Sequence, residues 1–229
     1  MSQNIVLKKG LNIPISGEAE LRVSKAIAPG ITAVRPTDIK GLLPRILVKE
    51  GDAWLCGSPV IADKKNPDIL LTSPVSGTVK ALVRGEKRKL LAGLIESDGK
   101  NKCVDFGVKD PAAMDAGQVK AALLESGLWP WIIQRPYGII ANPEIRPSAI
   151  YVSAFDSAPL APDSDFCFAD EVKDIQAAVN ALAKLTDGEV HVSYDADSDP
   201  ASALRKLTGV HAHYFKGKHP AGNVGVQIS

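Results

Sequence analysis

Four histidines, three cysteines and an alternating run of aspartates are the residues with the most obvious chemical potential in this chain. His211 and His213 stand at i and i+2 in Val210-His-Ala-His-Tyr-Phe215. A strand there would put both on one face, and with His219 close behind they could gather a metal ion. No carboxylate or cysteine stands at obvious ligand spacing around them, so the expectation is strand histidines hydrogen-bonded to their neighbours, with no metal. Asp195, Asp197 and Asp199 alternate like the opening of a calcium loop. The loop's glycine and distal glutamate are missing, which leaves a solvated turn leading into the next helix. Cys56, Cys103 and Cys167 are odd in number, widely separated and without a CxxC pair. That excludes a disulfide framework or a zinc site of ordinary spacing and predicts three small buried thiols.

Nucleotide and hydrolytic chemistry are poorly served. A dinucleotide needs G-x-G-x-x-G between the first strand of a parallel unit and its helix, so that backbone amides can approach the pyrophosphate. Here the corresponding stretch is Asp156-Ser-Ala-Pro-Leu-Ala-Pro-Asp163. It has no glycine, two prolines that cannot donate an N–H, and two acids. Gly217-Lys-His-Pro-Ala-Gly222 reads as a turn, not a phosphate cradle. No G-x-S-x-G, H-E-x-x-H or paired-carboxylate motif is present, so no catalytic residue is assigned.

The elements that must position these residues follow from punctuation and periodicity. The chain has 229 residues, 45% hydrophobic and 23% charged, with 27 Lys+Arg against 26 Asp+Glu. A soft prior of roughly 150 residues per domain allows one large domain or two small ones. A net charge of +1 argues against a nucleic-acid partner or a polybasic membrane anchor. No run approaches the roughly 20 apolar residues that span a bilayer, and the first ten residues lack the apolar run of a signal peptide.

Residues 1–100 are dense in Gly and Pro and rich in short β-type segments. These are Ile31–Val34, Arg45–Val48, Ser58–Ile61, Ile69–Thr72, Thr78–Val83 and Leu90–Ile95, and they predict a small β barrel or sandwich. Residues 101–147 contain a helix with the stripe Val119, Leu123, Leu124, stopped by Gly127. Pro130, Pro136, Pro143 and Pro147 then impose an extended connector. Residues 148–229 alternate. A buried strand spans Ala149–Phe155, a helix capped by Asp170 buries Val172, Ile175, Val179, Leu182 and Leu185, and a strand spans Glu189–Tyr194. A short helix follows over Ala201–Leu207, then a strand over Val210–Phe215. That order suggests half of a doubly wound parallel sheet.

Val48-Lys-Glu-Gly-Asp-Ala-Trp-Leu-Cys-Gly-Ser-Pro-Val60, followed by Ser73-Pro-Val-Ser-Gly-Thr-Val79, resembles the biotinyl/lipoyl-type barrel. Such carriers attach their cofactor to a hairpin lysine between these blocks, where Lys64 and Lys65 stand. Asp63-Lys-Lys-Asn-Pro67 lacks the usual flanking residues, and Pro67 gives a different turn, so solvated lysines on a shared fold are expected.

Longer blocks then carry a family resemblance across nearly the whole chain. They are Lys8-Lys-Gly-Leu-Asn-Ile-Pro-Ile-Ser-Gly17, Val34-Arg-Pro-Thr37, Asp63-Lys-Lys-Asn-Pro67, Thr72-Ser-Pro-Val-Ser-Gly77, Arg84-Gly-Glu-Lys-Arg88, Glu125-Ser-Gly-Leu-Trp129, Gln134-Arg-Pro136, Phe155-Asp-Ser-Ala-Pro-Leu-Ala161 and His219-Pro-Ala-Gly222. In this order they resemble the NqrA family of the bacterial sodium-translocating NADH:quinone oxidoreductases, with the RnfC family of the Rnf electron-transport complexes similar mainly in the barrel. The resemblance implies an α+β, multidomain architecture: a biotinyl/lipoyl-like β barrel-sandwich, then a Rossmann-like α/β domain similar to the NADH/FMN-binding subunit of complex I. It also implies an N-terminal fragment, since the family's chains are roughly twice as long.

The resemblance further implies a peripheral subunit on the cytoplasmic side of the bacterial inner membrane. Its membrane contact would run through partner subunits that carry the flavins, the iron–sulfur centre and the sodium path. The complex I relative has a Gly-rich flavin loop near the position of Gly127-Leu-Trp-Pro-Trp131. Bulky Trp129 and Trp131 would obstruct a phosphate there, so no cofactor is expected on this chain. If the family's quinone binds here, Trp131, Arg135 and Tyr137 are the residues to examine, because an aromatic-lined cleft with one polar donor suits a quinone. The competing expectation is that Trp129 and Trp131 pin the connector to the barrel and that Arg135 pairs with an acid. A carrier or scaffold module and a nucleotide-dependent enzyme are the other classes in play.

Overall fold

The computed structural model describes residues 3–17 and 20–229. The chain separates into two compact units, one of Lys25–Lys109 with Gly117–Ile145, the other of Met1–Ser24, Asp110–Ala116 and Arg146–Ser229. The chain opens with β1 (Gln3–Leu7) in the second of these.

In the first unit the short apolar segments become strands β2 (Ile31–Val34), β3 (Pro44–Ile46), β4 (Ala53–Trp54), β5 (Pro59–Asp63), β6 (Leu70–Thr72), β7 (Gly77–Arg84) and β8 (Leu90–Ser97). They form two antiparallel sheets, ordered β2-β8-β7-β4 and β3-β5-β6. Val60, Ile61, Val79 and Ile95 have at most 1% of their surface exposed. Each such burial stabilises the unit by roughly 1.5–3 kcal/mol. The predicted barrel-sandwich is therefore present.

Two details depart from expectation. Cys103 and Cys167 are exposed and Cys56 is half-buried, so the three thiols are not small core residues. Cys56 and Cys103 are also brought together, because the backbone of 102–104 bridges to Cys56: Cys56 N–H donates to Lys102 O and Val104 N–H to Cys56 O. Burial and the neighbouring Cys103 push the Cys56 thiol pKa up, which favours the protonated, unreactive form.

Helix α1 (Ala116–Glu125) follows, with Val119 buried. Gly127 stops it as expected. At φ +74° it adopts the left-handed turn in which Leu128 N–H closes onto Leu123 O. The connector is a 3-10 turn over Trp129–Trp131 and a two-stranded ribbon of β9 (Ile133–Gln134) and β10 (Ile139–Ile140).

The second unit contains β11 (Ile150–Ser153), α2 (Ser164–Cys167), α3 (Val172–Lys184), β12 (Val190–Asp195), β13 (His211–Gly217) and α4 (Val224–Gln227). Its sheet is entirely parallel, ordered β1-β13-β12-β11. One face carries Val192, Tyr194 and Leu204, packed by Val152, Val172, Ile175, Val210, Ala212 and Tyr214. Strand alternation sends Tyr151, Ser153, His191, Ser193, His211 and His213 to the other face.

The sequence grouping of residues 1–100 differs from this arrangement at its start. β1 hydrogen-bonds to β13, so the N-terminal segment lies with the α/β sheet and not with the barrel. Asp170 does not cap α3, whose preceding residue Glu171 makes no side-chain cap; Asp163 caps α2 instead, accepting from Phe166 N–H at 2.8 Å. The expected helix over Ala201–Leu207 is a 3-10 turn, Ala203–Lys206. Arg146 closes the C-terminus of α3, donating to the carbonyls of Lys184 and Thr186 and to Asp187. Among the described residues no helix is long and apolar enough to cross a membrane.

Candidate functional site

In an open parallel sheet, ligands dock beyond the carboxyl ends of the strands, and the first strand-to-helix loop receives the phosphate. Here that loop follows β11, and its polar groups are engaged within the loop and by the segment after β13. Asp156 Oδ1 accepts the N–H of Ala158 at 2.8 Å. Ser157 Oγ accepts the N–H of Gly222 at 2.8 Å and lies 3.1 Å from His219 Nδ1. Gly222 packs so tightly that a Cβ on it would overlap the Ser157 nitrogen. At the far end, Asp163 already places a carboxylate on the N-terminus of α2, where a phosphate would otherwise be welcomed. Residues 218–223 form turns through Ala221 N–H to Lys218 O and Asn223 N–H to Pro220 O.

The connector residues have a different character. Trp129 is 5% exposed, and its indole N–H donates to Ala141 O at 2.8 Å, so this tryptophan holds the ribbon. Trp131 is 70% exposed and Tyr137 64%, and Arg135 is exposed too. Trp131 precedes β9, while Arg135 and Tyr137 sit in the β9–β10 turn, where Lys40 Nζ donates to Tyr137 O at 2.8 Å. The structure gathers the three on one short ribbon but presents them outward instead of enclosing them. Trp131 does not pin the connector. Lys64 and Lys65 are exposed in the β5–β6 turn, where buried Asp63 accepts from Leu43 N–H and Lys65 N–H.

The histidines divide. His219 belongs to the β11-loop contact with Ser157, whereas His191, His211 and His213 share one sheet face. Burial first, and then neighbouring imidazoles, lower the pKa values of His191 and His213 below the ordinary histidine value. A carboxylate does stand beside them: Glu189 Oε2 lies 2.9 Å from His211 Nδ1. Sequence spacing around His211 could not reveal it, because Glu189 arrives from the neighbouring strand. The available signal was Glu189 and His191 at i and i+2, read together with a register that pairs His191 with His211.

The fold defines a protein of two successive units, a barrel-sandwich followed along the chain by a parallel α/β domain whose loop after β11 is closed by hydrogen bonds. Residues 5–98 match the family described as "NqrA N-terminal barrel-sandwich hybrid domain", and residues 114–229 match "NqrA second alpha/beta domain". The chain belongs to the NqrA family. It is 36% identical over 228 residues to the NqrA component of the Na(+)-translocating NADH-quinone reductase of Yersinia pseudotuberculosis serotype O:1b (strain IP 31758). It is 35% identical over 227 residues to that of Neisseria meningitidis serogroup B (strain ATCC BAA-335 / MC58), and 37% over 227 residues to that of Pseudomonas aeruginosa (strain UCBPP-PA14). Each match covers 98% of this chain and 50% of the relative, so the chain spans about half the length of the curated relatives it matches.

Proposed function

We propose that this chain serves as part of the NqrA component of a Na+-translocating NADH:quinone reductase, a translocase that couples electron transfer from NADH to quinone with Na+ export. In this reading it is a peripheral component on the cytoplasmic side of the membrane. It docks on the subunits that hold the flavins, the iron–sulfur centre and the sodium path, and carries no redox centre itself. The observation that carries the reading is the tandem of two NqrA domains in family order along almost the entire chain. The loop after β11, bonded within itself and to Gly222, supports the absence of a nucleotide from the usual crevice.

The quinone contact belongs to the same proposal. Trp131, Arg135 and Tyr137 offer two exposed aromatic rings and a cation on one ribbon, suited to an aromatic head group with carbonyl acceptors. Because the three face outward, the contact is completed by a partner surface. The test is affinity capture of the tagged chain from detergent-solubilised membranes of a host that makes the other subunits. Co-elution of flavoprotein subunits with NADH-dependent quinone reduction is expected; recovery of the chain alone contradicts the assignment.

A further inference from the structure

The parallel register of the α/β sheet aligns Tyr151, His191 and His211 in one cross-strand row, as Cα partners on β11, β12 and β13. Neighbouring strands lie about 4.8 Å apart, so side chains of one row touch on the same face. Tyr151 stacks on His191 at 4.7 Å between ring centroids, and His191 lies 5.4 Å from His211. His213, two residues along β13, sits 5.1 Å from both other imidazoles. Glu189, two residues before His191, brings its carboxylate to His211. One ligand atom from each of Glu189, His191 and His211 falls within a sphere where all lie within 4.8 Å of one another.

Packing alone gives no reason to collect three imidazoles here. They repel one another when protonated. His213 additionally buries its Nδ1, which meets no acceptor among the described residues. Its Nε2 lies 2.9 Å from His191 Nδ1. With the proton on His191 Nδ1, that bond fixes the ring and leaves His191 Nε2 for a ligand, which is the way metal-binding histidines are ordinarily held.

We propose that Glu189, His191 and His211 form a binding site for one divalent transition-metal ion, zinc by the chemistry of its donors, with His213 as a positioning residue. Two imidazole nitrogens and one carboxylate oxygen are a common three-residue zinc set, with water in the fourth position. Around a metal with bonds of about 2.1 Å the donor atoms lie roughly 3.4 Å apart, so rotation of the exposed Glu189 side chain closes the set. The site stands at the amino ends of β12 and β13, opposite the end at which doubly wound sheets take nucleotides. It is therefore separate from the loop after β11.

The experiment is titration of the tag-free, chelator-treated chain with Zn2+ by calorimetry, and with Co2+ by visible absorption. One Zn2+ per chain and the strong visible bands of four-coordinate cobalt are expected. His191→Ala and His211→Ala should each weaken binding about 100-fold or more, and Glu189→Gln about 10- to 100-fold. His213→Ala should weaken it about tenfold and alter the cobalt bands, with partial rescue by His213→Gln. His219→Ala should change nothing. Far-UV circular dichroism checks folding, and Glu189→Gln, at an exposed carboxylate, keeps the test decisive if an alanine variant fails to fold. Absence of stoichiometric binding, or wild-type affinity in Glu189→Gln together with a folded His191→Ala or His211→Ala, overturns the proposal.

Discussion

The hydroxyl of Tyr194 reaches from β12 across the α/β core to the carbonyl of Leu204, 2.8 Å away, and both residues are 3% exposed. Burial first, and then the nearby Tyr214, push the Tyr194 pKa up to about 12, against the opposing pull of Arg205. The folded state thus holds this proton more tightly than the unfolded chain. Its contribution to stability is complete below pH 10 and is lost as the pH rises through about 12. Urea unfolding across that window should show the decline. Tyr194→Phe should lower stability by about 1 kcal/mol below pH 10 and flatten the decline above it. An unchanged alkaline slope in the variant contradicts the assignment.

Arg146 acts on the end of α3 through carbonyls more than through charge. Its partner Asp187 is exposed, so Asp187→Asn should change stability by no more than about 0.5 kcal/mol. Arg146→Ala removes the donors to Lys184 and Thr186 and should lose about 1 kcal/mol or more, measured by chemical denaturation. Equal losses in the two variants would assign the effect to the ion pair.

Closure of the loop after β11 depends on Gly222. A methyl group there meets the backbone of Asp156 and Ser157, which cannot yield without moving the loop. Gly222→Ala should destabilise the protein by about 2 kcal/mol, whereas Ala221→Gly should cost about 1 kcal/mol. Thermal melts of the two variants decide the order.

Trp129 and Trp131 should respond differently to removal. Trp129→Ala removes a buried indole and its bond to Ala141, and should lose about 3–5 kcal/mol. Trp131→Ala, at a 70% exposed position, should stay within about 0.5 kcal/mol of the parent. In the assembled complex the same Trp131→Ala, or Tyr137→Ala, should raise the quinone concentration needed for half-maximal turnover. A normal quinone response in both variants removes these residues from the quinone contact.

Much of the architecture was legible because local chemistry agrees with tertiary structure there. Gly127, the turn-bounded apolar run of β5, the apolar alternation of β12 and the Val172–Val179 stripe each specify their element without outside help. What escaped was set by distant pairing. β1 is a short, half-polar strand whose reason to exist is β13, more than 200 residues later. Cys56 and Cys103 meet through a backbone bridge that no spacing rule predicts. Asp170 does not cap α3 because that helix begins at Val172 and its cap position falls on Glu171, while Asp163 caps the additional helix α2. The Glu189–His211 contact needed strand order before either residue could be seen as near the other.

We propose that no nucleotide binds beyond β11, where the loop is closed by the bonds of Asp156 and Ser157. The most direct measurement is calorimetric titration of the purified chain with NADH and with FMN, alongside its visible spectrum. The predicted result is a spectrum without flavin or iron–sulfur bands and no heat of binding from either compound. Stoichiometric bound flavin, or micromolar binding of NADH or FMN, would contradict that reading.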